Sequence, residues 1–297
     1  MKTRPLALVL LPLIACGGST SDPVASVSSA ATAPAPYVTV TTMHALTRDE
    51  GGHSRAPLLE GSDGRFYGVG EAGGPNAGGD ATHTCSSNFY SGTTVWTEQC
   101  PGSLYAVSRA GTFEMVHGFG QLDPTLKRNT DGYQPVTGLT QGSDGWLYGV
   151  APMGGEGGLK PTTPGCGTAY RVQPAAPHAF ETLWNFCSDP GYAAGAYPRG
   201  LLLPDGAGGW YGAAAGGPNS SGVIFHLLDH AASPIVDFGP KGATNTSGNL
   251  PYATPVPGAD GRLYGAATYG GVNDQGAVYA VDSAQRTLTA IASLGPG

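Results

Sequence analysis

The sequence predicts an all-β chain, on three observations. One phrase recurs four times, the stretches between copies alternate apolar and polar residues over short spans, and no helical periodicity of useful length follows residue 16. The phrase is an Asp-Gly-type turn, an aromatic strand ending in Tyr-Gly, a Gly-Gly loop and another short aromatic strand. Its copies are SDGRFYGVGEAGGPNAGG (62–79), SDGWLYGVAPMGGEGG (143–158), GGWYGAAAGGPNSSGVIFHL (208–227) and ADGRLYGAATYGGVNDQGAVYAVD (259–282). A period of roughly 50–80 residues with several short strands in each is how a β-propeller looks in sequence. The expected architecture is therefore about four four-stranded blades over residues 37–297, preceded by a signal peptide and a flexible tether.

Aligned on Tyr67, Tyr148, Tyr211 and Tyr264, each unit has four pieces. The first carries a proline and then an apolar stretch (56–62, 134–143, 197–204, 250–258), and the second is the aromatic strand FYGV, LYGV, WYGA or LYGA. The third is GSLYAVS, GTAYRVQ, GVIFHLL or GAVYAVD. The fourth is FEMVHGF, FETLWNF, PIVDF or LTAIASL. Asp-Gly at 63–64, 144–145 and 260–261 suits a tight hairpin turn, since Gly accepts positive φ and Asp bonds its own backbone. Gly68, Gly149, Gly212 and Gly265 fall inside a strand, which marks a bulge or a close approach of neighbouring atoms. A fifth copy of the last piece, YVTVTTMHALT (37–47), precedes the first unit. It could complete the final blade and close the ring, but LTAIASL already fills that place, so the count gives one strand too many. Four blades is the leading reading, and an open arc or one misread strand is the alternative.

The ends and the composition narrow the function classes. Charged residues make up 12% of the 297, the net charge is −7 and there are four lysines, which argues against a nucleic-acid partner. The 49 glycines and 25 prolines would suggest disorder, but the regular aromatic strands supply apolar surface to bury. Met1-Lys2-Thr3-Arg4 is basic, and Pro5 to Ala15 is apolar but too short for a permanent span, so 1–15 reads as a signal peptide. Leu13-Ile14-Ala15-Cys16 resembles the bacterial lipobox, which implies cleavage before Cys16 and its lipidation; the alternative is an ordinary secretory signal. Residues 16–36 form the lipidated cysteine and a linker of about 20 residues with a mean span of roughly 25 Å. Gly17, rather than Asp, after the cysteine favours the outer membrane.

With Cys16 lipidated, four cysteines remain in a compartment that permits disulfides. Cys166 lies just before the third piece of unit two and Cys187 just after its fourth, symmetric about a hairpin tip. That pairs Cys166 with Cys187 and leaves Cys85 for Cys100. No C-x-x-C spacing supports zinc.

The phrase DG-x-LYG-x-x-x-x-GG…GxVYxV, in tandem behind an export signal, resembles the bacterial "choice-of-anchor tandem repeat GloVer-containing" proteins. The resemblance covers roughly residues 40–295, with 259–282 the best match. It implies an envelope repeat protein whose anchor varies, and it carries no agreed catalytic residues. Unit two lacks the Asn loop and unit three replaces the turn with PDGAGG. GAVYAVDSAQRTLTAI (276–291) also resembles a quinoprotein-type propeller repeat, a form that envelope lipoproteins use without a cofactor; no cofactor is expected here.

Candidate site residues divide between turns and insertions. Asp63, Asp144, Asp205 and Asp260 form a potential ring of carboxylates, but their place before Gly marks turn residues. Tyr67, Tyr148, Tyr211 and Tyr264 could stack a sugar, though a place inside a strand favours core filling. No H-E-x-x-H, G-x-S-x-G or Walker lysine is present. His53 and His83 fall in loops near Asp49, Glu50 and Asp80, where a His–acid pair could abstract a proton. The insertion 75–101 carries Phe89, Tyr90 and Trp96, and the loops 120–133 and 187–197 add Asp123, Asp131, Tyr133, Asp189 and Tyr192. Loops longer than the repeat average are where recognition is placed, and aromatics with carboxylates suit a glycan or peptide. The leading expectation is a non-catalytic envelope lipoprotein, attached through its lipid anchor, that binds a glycan or an envelope protein. The alternatives are an extracytoplasmic lyase or glycoside hydrolase acting in a propeller funnel, which needs two converging carboxylates, and a quinone-carrying propeller.

Overall fold

The computed structural model describes residues 40–78, 100–126, 128–158, 165–240 and 245–295. The chain divides into Met1–Thr41 and Thr42–Gly297, and every strand below belongs to the second unit. The signal peptide, Cys16, the tether and most of the 75–101 insertion lie outside the described residues.

Sixteen strands among the described residues form four antiparallel sheets, each of four strands in chain order. Sheet one holds β1 (Leu59–Glu60), β2 (Phe66–Gly70), β3 (Ser103–Val107) and β4 (Phe113–Gly118). Sheet two holds β5 (Thr140–Gln141), β6 (Leu147–Ala151), β7 (Thr168–Val172) and β8 (Phe180–Asn185). Sheet three holds β9 (Ala196–Pro204), β10 (Trp210–Gly216), β11 (Val223–Leu228) and β12 (Ala231–Asp237). Sheet four holds β13 (Val256–Pro257), β14 (Leu263–Ala267), β15 (Ala277–Asp282) and β16 (Thr287–Ser293). The four pieces of each repeat are thus the four strands of one sheet. Among the described residues helix is confined to a single 3-10 turn, Pro190–Tyr192.

In the described part of 37–47 no strand forms: residues 40–47 are irregular, and Met43 and His44 lie against sheet one. His44 stacks on Phe113 of β4 with ring centroids 5.0 Å apart. Its Nε2 lies 3.1 Å from the Glu50 carboxylate, which also accepts the Thr47 amide and hydroxyl. These local bonds hold the segment as a cap, so the surplus strand in the sequence count disappears.

Turn and register follow the repeat. Gly64, Gly145 and Gly261 have φ of +78°, +83° and +81°, and Gly61 closes the first turn by donating its amide to the Arg65 carbonyl at 2.9 Å. The glycines inside the aromatic strands are covered by rings from across the sheet. Gly149 pairs with Tyr170, and a Cβ there would lie 2.6 Å from the Tyr170 hydroxyl. In each sheet the last two strands slip by one residue, leaving Val116, Leu183, Ile235 and Ile291 at a β-bulge.

Consecutive sheets pack face to face through three apolar clusters. Tyr67, Val69, Leu104 and Val116 of sheet one meet Leu147, Tyr170 and Val172 of sheet two. Val150, Ala169 and Leu183 of sheet two meet Leu202, Phe225 and Leu227 of sheet three, where Tyr148 stacks on Trp210 at 4.0 Å. Ala213, Ile224 and Ile235 of sheet three meet Leu263, Tyr279 and Val281 of sheet four. Each large apolar side chain buried this way contributes roughly 1.5–3 kcal/mol. Cys166 and Cys187 are disulfide-bonded across the end of the β7–β8 hairpin, with Cα atoms 5.9 Å apart. Cys100 is buried, while Cys85 lies outside the described residues.

Replacing Gly149 by Ala forces the Tyr170 ring off its strand. Urea unfolding of Gly149→Ala is expected to show a loss of roughly 1–3 kcal/mol, as for other overpacked cores.

Candidate functional site

The repeat carboxylates are turned into their own hairpins instead of converging. Asp63, Asp144 and Asp260 each accept the hydroxyl of the tyrosine four residues on, Tyr67, Tyr148 and Tyr264, at 2.7 Å. The same Asp63 and Asp260 accept an amide from Arg65 and Arg262, which makes each a turn latch. Unit three departs from the pattern because its turn is longer. Asp205 accepts the Ala207 and Gly209 amides, and its other oxygen takes His226 Nε2 at 2.7 Å. His226 is the cross-strand neighbour of Tyr211, so a histidine on the adjoining strand does what the tyrosine does elsewhere.

These bonds set the ionisation of the latches. Burial opposes the charged form of Asp63, but the Tyr67 hydroxyl and the Arg65 amide and guanidinium outweigh it and hold the carboxyl below its usual range. Asp205 is lowered in the same way, burial being overcome by His226 and the two amides. Burial, followed by the bond to Asp63, pushes the Tyr67 hydroxyl far up. Tyr67 and Tyr148 are buried, whereas Tyr211 and Tyr264 are half-buried.

The loop residues singled out in the sequence are scattered. His53 is exposed at φ +54°, and the Glu50 carboxylate nearby is bound to His44 and Thr47. Asp131 accepts the Gly120 amide at 2.8 Å and lies 3.0 Å from His117 Nε2. Tyr133 is buried, and its hydroxyl accepts the Cys100 amide at 2.9 Å. Asp80, His83, Phe89, Tyr90 and Trp96 lie outside the described residues. Sequence reasoning missed the histidine–carboxylate pairs His117–Asp131, His178–Glu114 and His226–Asp205. Their partners sit on different strands or sheets, so no local spacing announces them.

One named residue, Tyr192, opens onto a cleft of about 440 Å³ between sheets three and four. The 3-10 turn carries Tyr192, β9 contributes Tyr197 and Arg199, the loop after β10 gives Ser220, and the segment leading to β13 adds Leu250 and Tyr252. Arg199 is buried at 7% exposure, with its guanidinium carbon 4.9 Å from the Tyr252 ring centroid. Burial raises the Tyr197 hydroxyl above its ordinary value, so it stays protonated. Tyr192, Tyr197, Ser220 and Leu250 all hold left-handed backbone, φ +55° to +57°. Each such residue costs roughly 1–3 kcal/mol and persists only where its surroundings fix it. In the sequence these cleft residues stand as YPR (197–199) and LPY (250–252), at the starts of the first pieces of units three and four. A second depression, of about 460 Å³, is bordered by Arg128, Glu156, Trp184 and Asn185. Its polar groups bond one another, Arg128 to the Glu156 carbonyl and the Glu156 amide to Asn185.

No helix among the described residues is long and apolar enough to cross a membrane. No family model and no curated protein matches the chain. Among solved structures, the chain is similar to the crystal structure of TolB from Acinetobacter baumannii, at 12% identity and a TM-score of 0.40. The match covers 80% of this chain and 44% of that one, so the chain spans less than half the length of that structure's chain.

The latches make stability pH-dependent. A carboxyl lowered on folding binds fewer protons folded than unfolded, so its contribution is complete above the unfolded value near 4 and is lost as pH falls through the folded value. Urea midpoints are expected to be level from neutrality to about pH 5 and to drop below about pH 4. Asp205→Asn should be less stable by roughly 1–2 kcal/mol at neutral pH, with the gap closing in acid.

Proposed function

We propose that this chain is a lipid-anchored protein of the bacterial cell envelope that binds a glycan without turning it over. In this reading Cys16 carries the anchor at the outer membrane, the four sheets are blades of a β-propeller-type array, and the phrase marks a GloVer-type repeat protein. The tandem phrase, the basic-apolar leader and Leu13-Ile14-Ala15-Cys16 support the setting.

The observation that carries the binding role is the cleft. Tyrosine rings on several sides suit the flat, weakly polar faces of sugar rings, and Arg199 at the wall suits a carboxylate or amide on the ligand. Its volume is in the range of small-ligand clefts and matches one or two saccharide units. The described lining contains aromatic, hydroxyl and guanidinium groups, and the carboxylate pair that glycoside hydrolysis requires is not part of it. That favours retention of a ligand over its cleavage.

Calorimetric titration of the purified protein with acidic and neutral oligosaccharides tests the reading. Tyr252→Ala and Tyr192→Ala are expected to weaken binding about tenfold each. Loss of the exposed Tyr252 should leave the unfolding curve in place, while Tyr192 also packs on the apolar core and its loss should lower the midpoint. Binding that persists unchanged in both variants refutes the assignment of this cleft. Mass spectrometry of membrane fractions should find acyl chains on Cys16, and Cys16→Ala should release the protein from the membrane.

A further inference from the structure

The three interfaces between consecutive sheets repeat one set of contacts, and each end of the chain carries half of that set. The bulge residues Val116, Leu183 and Ile235 are 5%, 8% and 8% exposed because the next sheet covers them, while Ile291 in the same place on sheet four is 53% exposed. Val69, Val150 and Ala213 are buried, but their equivalent Ala266 is exposed. Beside each covered face the chain on its way to the next sheet is pinned. The amides of Gln134, Tyr197 and Leu250 donate to the carbonyls of Pro101, Cys166 and Ser221 at 2.8, 2.8 and 2.6 Å. The prolines that follow press on glycines: a Cβ on Gly102 or Gly167 would lie 2.6 Å from Cδ of Pro135 or Pro198. Gly222 meets Pro251 in the same way. On sheet four the matching positions are the Gln275 carbonyl and Gly276, whose nearest described neighbours are Ala267, Thr268 and Leu294 rather than a proline.

The missing half is at the other end. His53 has φ +54°, alongside +55°, +56° and +55° at Gln134, Tyr197 and Leu250. His53 and Ser54 are exposed, Ser54 bonding only the Tyr105 hydroxyl of its own sheet, and no sheet precedes them among the described residues. Leu58 packs over Gly68 as Leu139 packs over Gly149, yet it is 51% exposed against 5% for Leu139. Glu60 occupies the place of Gln141, whose side chain accepts the Ser62 amide from the preceding sheet at 2.8 Å. The corresponding turn of sheet four offers the amide of Ala259 and the exposed guanidinium of Arg262, a charge opposite to Glu60. His44 already stacks on Phe113 as His117 of sheet one stacks on Phe180 of sheet two. Ala292, the counterpart of His117, leaves room for that ring.

We propose that these ends are two halves of one interface, made head to tail between two copies of the chain, sheet four of one copy against sheet one of the next. Among the described residues both faces stay open apart from the His44 segment on sheet one, and the thrice-repeated internal interface specifies the chemistry of the second copy that would cover them. A heterologous contact of this kind closes into a ring or propagates as a filament.

The test is the mass of the purified full chain by light scattering across a dilution series. Two or more chains are expected at high concentration for the native sequence, and one chain for Ala266→Arg or Ile291→Glu, both exposed positions whose circular dichroism should match the native protein. Mixing Ser54→Cys protein with separately tagged Gln275→Cys protein under oxidation should give a mixed disulfide dimer. A single-chain mass at every concentration overturns the proposal, as does an oligomer indifferent to both surface variants. So does a Ser54→Cys/Gln275→Cys double variant that cross-links only within one chain.

Discussion

The structure depends on the need of each sheet to have its face covered by the next. A sheet whose first strand is two residues long, as in β1, β5 and β13, cannot stand alone in water. Its stability comes from a side-chain layer shared with a neighbour, such as Tyr148 stacked on Trp210 or Phe119 set edge-on to Tyr170. The turn latches work within this limit. By bonding Tyr67 and Tyr148 to the aspartates of their own hairpins, they satisfy hydroxyls that the packing would otherwise leave buried and unpaired. The apolar body of each ring then fills the interface while its polar end stays with its own sheet.

The sequence made the strands legible because the repeat places them in comparison with one another. Alternation alone would leave a two-residue β5 or β13 invisible, but four copies of Asp-Gly followed by an aromatic strand fix where its partner must turn. The same comparison failed where a unit departs from the pattern. The glycine-rich insertion after Asp205 shifts the aspartate relative to Tyr211, and the histidine that replaces the tyrosine comes from β11, beyond any local motif. YVTVTTMHALT misled for a related reason. Its alternation is that of a strand, but His44, Thr47 and Glu50 bond one another first, and side-chain bonds of this local kind compete with a sheet ladder.

The cleft was hidden differently. Its aromatic residues are spread over the 3-10 turn, β9 and the segment before β13, so only folding brings Tyr192, Tyr197 and Tyr252 to one cleft. Two of its left-handed residues, Tyr197 and Leu250, belong to the repeat, since Gln134 adopts the same conformation at the junction of sheets one and two. Ser220 recurs as well, as Asp274 at φ +53° in unit four, whereas no residue matching Tyr192 in the other units has positive φ. The strain specific to this junction is therefore at Tyr192.

Sheet four presents a contrast between its sequence and its surroundings. It is the most regular copy of the phrase, yet its outward face is the least covered. A terminal repeat that ends an array normally turns a polar surface to solvent. Of the positions that face outward here, Tyr264, Ala266, Val278 and Ile291 are uncharged, with the charged Arg262 at the turn beside them. In sheets one to three the same positions form the interface. A chain that ended its array at sheet four for good would gain solubility from a carboxylate or lysine at Ala266 and would lose no packing, because nothing covers that side chain. Small apolar residues retained there are those of a surface that receives another sheet.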